Sequence, residues 1–129
     1  MLIVTAGIIK NNGKILISQR EFNKNQGLKW EFPGGKLKEN EKPEDGLKRE
    51  ILEELNINIK VLDIFHVIYH RYNNFDILLL CYTAEFINGN IIAKECKDYR
   101  WVSTNELLNF QFSQADIGII KKILTKGIN

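Results

Sequence analysis

From Lys42 to Asn56 the sequence admits one amphipathic helix and little else. Pro43 suits the first helical position, and Glu44 and Asp45 suit the positive end of the helix dipole. Leu47, Ile51, Leu52 and Leu55 recur at helical spacing and predict a single buried stripe. Asn56 tolerates the left-handed backbone that commonly ends a helix. Gly46 is the weak point, because glycine inside a helix costs about 1 kcal/mol against alanine.

What surrounds this helix is β-rich. Residues 2–9 and 14–19 are β-branched runs joined by Asn11-Asn12-Gly13, which predicts a hairpin. A third extended segment, Lys29 to Phe32, ends at Pro33, whose ring favours an extended residue before it. Residues 59–69 and 76–86 predict the main strands, and Tyr99 to Val102 a further one. A short helix is expected around Asn105 to Phe110. A final helix starts at Ser113, with Asp116 three residues on as a capping-box variant and Ile117, Ile119, Ile120, Ile123 and Leu124 largely on one side. Strands, a helix, more strands and a closing helix make an α+β sandwich, not a regular βαβ repeat.

The 129 residues are read as one domain, 1–129, long enough to bury a core. A hydrophobic content of 44% with 26% charged residues is that of an ordinary globular chain. The formal net charge of +2 predicts no large basic face, which excludes a nucleic-acid duplex as partner. Cys81 and Cys96 match no metal-finger spacing, and Cys81 reads as a buried strand residue. No stretch approaches the ~18 consecutive apolar residues of a membrane span, and no basic-then-apolar leader opens the chain. The expectation is a cytoplasmic protein, monomer or homodimer, with no membrane partner. His66 and His70 flank an apolar strand without a carboxylate nearby in sequence and read as ordinary strand residues.

Chemistry concentrates on the first helix. Glu50, Glu53 and Glu54 stand at i, i+3 and i+4, so three carboxylates converge on one patch. Left alone they repel one another, and a hard divalent cation such as Mg²⁺, which takes oxygen ligands, resolves the conflict. Read in isolation, such a face is more often simply solvated. Its surroundings argue otherwise. Gly34-Gly35, after Phe32-Pro33, reads as a loop that lets backbone approach a ligand closely. Arg49 lies at i, i+4 to Glu53 and can hold that carboxylate.

The string GKLKENEKPEDGLKREILEELNI, Gly35 to Ile57, resembles the Nudix box at Gly35, Glu41, Arg49, Glu50, Ile51, Glu53, Glu54 and Ile57. From average residue usage, such a match arises less than about once in ten million starting positions. One position departs: Asn56 stands where the family usually has glycine, and both tolerate positive φ. The resemblance implies the family's α/β/α sandwich around a mixed sheet. It also implies a reaction in which water attacks a phosphorus of a nucleoside diphosphate linked to another group, with Mg²⁺ as cofactor and Mn²⁺ as substitute. Carried over by position, Glu53 and Glu54 are the main metal ligands, with the Gly34 carbonyl as a further candidate. Glu50 is the candidate general base or an additional ligand, held by Arg49, and Glu41 supports the loop. Glu95 resembles a carboxylate that several family members bring to the metal or the water; by itself it is a solvated loop residue.

Beyond the box the chain resembles the MutT branch, through Trp30-Glu31-Phe32-Pro33-Gly34-Gly35-Lys36 and Phe112-Ser113-Gln114-Ala115-Asp116-Ile117. That implies a small-molecule nucleoside triphosphate as partner, an oxidised one (8-oxo-dGTP), cleaved to the monophosphate and pyrophosphate. Arg20, at the end of the second strand, stands where the branch has a phosphate- or base-contacting arginine. Phe32 would lie by the base, Gly35 and Lys36 would bind the substrate, and Asp116 would read the base edge. MutT itself has Asn at that place; an ionised Asp only accepts hydrogen bonds, which also fits the exocyclic amine of cytosine. CTP or 5-methyl-dCTP hydrolysis is therefore the alternative. Hydrolysis of ADP-ribose or dinucleoside polyphosphates ranks below it, as does a non-catalytic nucleotide-binding module, since every box carboxylate is retained.

Overall fold

The computed structural model describes residues 1–128. Its centre is β1 (Leu2–Asn11), which turns through Asn12 (φ 51°) and Gly13 (φ 75°) into β2 (Lys14–Gln19). Two consecutive positive φ values make the tight hairpin turn that Asn-Gly favours. The antiparallel pairing covers only Lys10↔Ile15 and Asn11↔Lys14, after which the strands part. β4 (Gly34–Lys36) then takes the edge of β1 around Thr5, while β7 (Asp98–Val102) and β3 (Trp30–Glu31) pair with β2. On its other side β1 runs parallel to β6 (Asp76–Gly89), which pairs antiparallel with β5 (Ile57–Arg71). The result is an α+β sandwich with a mixed, seven-stranded sheet.

Alternation along β1 divides the core in two. Ala6 and Ile8 pack with Phe32, Leu79, Phe112 and the Ile119, Ile120 and Ile123 side chains of α2 (Gln114–Lys126). Ile9 faces the other way, onto Leu47, Ile51 and Leu55 of α1 (Pro43–Leu55). Those three are fully buried, and truncating any of them would cost about 2–5 kcal/mol.

The helix has the bounds its caps predict, and Asn56 ends it at φ 61°, ψ 32°, its amide returning to the Leu52 carbonyl. Leu52 itself departs from the expected stripe: it is 46% exposed, lying past the sheet-facing edge of the helix. Gly46 has a packing reason, since a Cβ there would stand 2.3 Å from the Leu37 side chain. Three further readings change. Gly34-Gly35 is strand, not loop, because its backbone completes the β1 edge. The segment near Asn105 is a 3₁₀ helix over Thr104–Asn109, begun by Glu106 accepting the Ser103 amide at 2.9 Å. The capping-box variant at Ser113 does not form, because Asp116 has a distant partner. On α2, Ile117 and Leu124 are 43% and 45% exposed, off the buried row. His66 and His70 sit in β5 as ordinary strand residues, and Cys81 is buried in β6.

Candidate active site

Each glycine of β4 is small for a different neighbour. A Cβ on Gly34 would stand 1.9 Å from the Thr5 carbonyl oxygen, so that residue must be glycine for β4 to reach β1. A Cβ on Gly35 would stand 2.4 Å from Glu50 Oε2. The missing side chain therefore gives a carboxylate of α1 its place against the strand.

Arg49 ties this region together. Its Nε and Nη2 donate to the two oxygens of Glu41 at 2.7 and 2.9 Å, a bidentate pair. Nη1 reaches Glu50 Oε1 at 3.0 Å and Glu53 Oε2 at 3.2 Å, and Nη2 also meets the Lys36 carbonyl at 3.1 Å. Glu41 accepts the Lys38 amide as well, and Arg49 followed by that amide lowers its carboxyl to about 2. The partner expected for Arg49, Glu53, is thus the weaker one, because the loop before α1 folds Glu41 back onto the guanidinium.

The carboxylates do not share one setting. Glu53 is exposed. Glu50 is partly buried and raised from its ordinary value by that burial, against the pull of Arg49 and with the charges of Glu53 and Glu95 adding. Glu54 turns into the protein, where burial first, then the charges of Glu31, Glu50 and Glu95, push it up to about 9. Glu95 is exposed but near enough to be felt by both, and the Lys94 amide beside it donates to the Glu54 carbonyl at 3.0 Å. Among the described residues no three acidic, histidine or cysteine groups are drawn into a ready cage, since Glu50 and Glu53 are engaged by Arg49. The donor set nonetheless fits a hard divalent cation: oxygens only, with like charges close enough to add to the raised Glu50 and Glu54 carboxyls until a positive charge offsets them.

Glu54 opens onto a cleft of about 450 Å³ between β1, β4, β6 and the start of α2. Of the residues singled out in the sequence, Arg20, Phe32, Gly34, Gly35, Lys36 and Asp116 line it too, whereas Arg49, Glu50, Glu53 and Glu95 do not, though Glu50 abuts Gly35 at its edge. Asp116 is buried, and its Oδ2 accepts the Phe32 amide at 2.8 Å. Burial, then the charge of Glu31, raises its carboxyl well above the usual range despite that hydrogen bond. A carboxyl so raised holds its proton more readily than a free one, and in the protonated form it can donate as well as accept.

Three side chains of the cleft had no assigned role. Glu31 is paired with Arg20 at 2.9 Å; its signal was a charge between Trp30 and Phe32 in an extended segment. Tyr72 and Phe75, ring centroids 5.2 Å apart, wall the cleft from the turn between β5 and β6, where two aromatics border Asn73-Asn74.

Comparison with known proteins agrees with this geometry. A sequence model of the NUDIX domain family matches residues 1–123. The chain is 32% identical to a CTP pyrophosphohydrolase of Escherichia coli (strain K12) over 96% of its own length and 92% of the relative's. It is 34% identical to an 8-oxo-dGTP diphosphatase of Buchnera aphidicola subsp. Schizaphis graminum, over 91% and 88%. The crystal structure of a MutT protein from Methanosarcina mazei Go1 superposes with a TM-score of 0.88 at 21% identity, covering 99% and 96% of the two chains, and so shares the fold.

Proposed function

The chain belongs to the NUDIX domain family and is a Nudix hydrolase, an enzyme acting on acid anhydrides; from that premise we propose that it hydrolyses an oxidised nucleoside triphosphate, 8-oxo-dGTP, to the monophosphate and pyrophosphate. The observation that carries this reading is one cleft joining Glu54 to the buried Asp116, whose carboxyl burial raises well above its ordinary value. In its protonated form that carboxyl offers a donor beside an acceptor, as the asparagine of MutT does, and 8-oxoguanine presents the complementary N7–H and O6.

Nudix hydrolases generally use divalent metal ions, and here the ion is Mg²⁺, with Mn²⁺ as substitute. When bound it would neutralise charge on the polyphosphate and acidify the attacking water. Glu53, Glu54 and the Gly34 carbonyl would hold it, with Glu50 and Glu95 as further oxygens. Glu50 takes the proton of the attacking water: burial raises its proton affinity, and Arg49 at 3.0 Å fixes its aim. Arg49 cannot follow the substrate, since Glu41 grips it through both oxygens. Lys36, exposed at the mouth of the cleft, meets the phosphates, and Phe32 packs beside the base. Such chemistry would cleanse the nucleotide pool in the cytoplasm.

A second reading has its own support: the 32% identical relative is named a CTP pyrophosphohydrolase. A panel of 8-oxo-dGTP, dGTP, CTP, 5-methyl-dCTP and ADP-ribose with Mg²⁺ separates the two. The highest kcat/KM is expected for 8-oxo-dGTP. A cytidine nucleotide in first place would transfer the assignment to the second reading, and turnover of ADP-ribose alone would overturn both.

A further inference from the structure

Between its two ends the cleft holds an ion pair that the reading above leaves without a task. Arg20 Nη1 donates to Glu31 Oε1 at 2.9 Å, and Arg20 Nε donates to the Asn25 carbonyl at 2.7 Å. The arginine is thus anchored from the loop after β2, and it fixes one oxygen of the carboxylate. No hydrogen bond among the described residues engages the other oxygen, Oε2, and the residue lines the cleft. Glu31 is next in sequence to Phe32, whose amide holds Asp116. Its charge reaches Asp116 on one side and Glu54 on the other. It therefore lines the same cleft as the base-reading carboxyl and the acidic end, close enough for its charge to act on both.

A nucleotide with its base at Asp116 and its phosphates at Glu54 carries its sugar between them, in the cleft that Glu31 lines. A carboxylate is a poor neighbour for phosphate oxygens, which repel it, and a good one for hydroxyl groups, which can only gain from an ionic acceptor. We propose that Glu31, held by Arg20, reads the sugar, accepting a hydrogen bond from the 3′-hydroxyl that ribo- and deoxyribonucleotides share. The inference rests on the nucleoside triphosphate reading of the cleft.

The test compares GTP, dGTP and 2′,3′-dideoxy-GTP at saturating Mg²⁺ with wild type, Glu31→Ala and Glu31→Gln, with thermal unfolding recorded for each. Wild type should favour dGTP over the dideoxy nucleotide in kcat/KM by about ten- to a hundredfold, the range of one hydrogen bond to a charged group. In Glu31→Ala that preference should fall to about unity, through loss on the hydroxyl-bearing nucleotides, with Glu31→Gln intermediate. Releasing Arg20 would affect every nucleotide alike, so it cancels from the ratio. A common loss on all three nucleotides would overturn the assignment. Wild-type indifference between dGTP and the dideoxy nucleotide would also overturn it, and needs no variant to fold. Failure of wild type to hydrolyse any nucleoside triphosphate would instead refute the underlying reading of the cleft.

Discussion

The two ends of the cleft are held in opposite ways. At the acidic end the side chains hold one another: Arg49 gathers Glu41, Glu50 and Glu53, none more than eight positions away. At the buried end one carboxyl, Asp116, depends on a backbone amide 84 positions distant. The first arrangement is charged, partly solvated and built from one contiguous stretch. The second is dry, favours the protonated carboxyl and exists only once α2 has docked on the sheet. The difference teaches where rate and selectivity should reside. Charge that can meet a cation belongs to the acidic end, and a fixed donor–acceptor pattern belongs to the end that water does not reach.

The strongest way to break this comparison is at Glu54. Glu54→Gln keeps shape and removes a charge, so turnover should fall by about 10²-fold or more, nearly 3 kcal/mol of barrier, with folding retained. A kcat near wild type at saturating Mg²⁺ would remove Glu54 from the reacting centre. The same variant carries a pH prediction of definite sign. The folded carboxyl is raised to about 9, far above its unfolded value. Its favourable contribution is therefore complete below the unfolded pKa and is lost as pH rises through about 9. In chelator, Glu54→Gln should unfold at a higher temperature than wild type at pH 8, the gap closing toward pH 4. Equal melting temperatures at both pH values would show that Glu54 is not strained by its surroundings.

The buried end should respond in selectivity and not in rate alone. Asp116→Ala should shrink the preference for 8-oxo-dGTP over dGTP by about ten- to a hundredfold. Asp116→Asn keeps a donor and an acceptor and should retain most of that preference. It should also stabilise the fold near neutral pH, since the raised folded carboxyl favours folding only in its protonated state. Measured kcat/KM on 8-oxo-dGTP, dGTP and CTP checks this; an unchanged ranking in both variants would exclude Asp116 from base reading.

Smaller effects test the scaffold of the acidic end. Gly46→Ala gains about 1 kcal/mol of helix propensity. It would also set a Cβ 2.3 Å from Leu37 and 3.0 Å from Glu41 Oε1, and overpacking costs about 1–3 kcal/mol. A net loss of stability is expected by chemical denaturation, and a gain would show that the loop before α1 yields freely. Asn56→Gly relaxes a residue at φ 61° while loosening the unfolded chain, so its stability should change by less than about 1 kcal/mol.

These contrasts also mark what the sequence could reveal. The bounds of α1, its proline start and asparagine end, and the Asn-Gly hairpin were legible because local chemistry decides them. So was the grouping of Glu50, Glu53 and Glu54, which helical spacing alone dictates. The setting of each was not: Glu54 is half-buried and lines the cleft while Glu53 is exposed, because one side of the helix end faces the sheet and the other faces solvent. The partner of Asp116 and the task of Glu31 lie in contacts between distant strands, where spacing carries no information. Gly46 looked like a defect in a helix. It is a contact surface for Leu37, invisible until the loop is folded.

The central claim is that the acidic end works a metal-dependent cleavage on a nucleotide chosen at the buried end. Phosphorus NMR of 8-oxo-dGTP turnover, with Mg²⁺, then with excess chelator, then with Mg²⁺ restored, tests it most directly. The account predicts the nucleoside monophosphate and pyrophosphate as products, formation abolished by chelator and recovered with the metal. Release of inorganic phosphate with a nucleoside diphosphate, or turnover that persists in chelator, would contradict it.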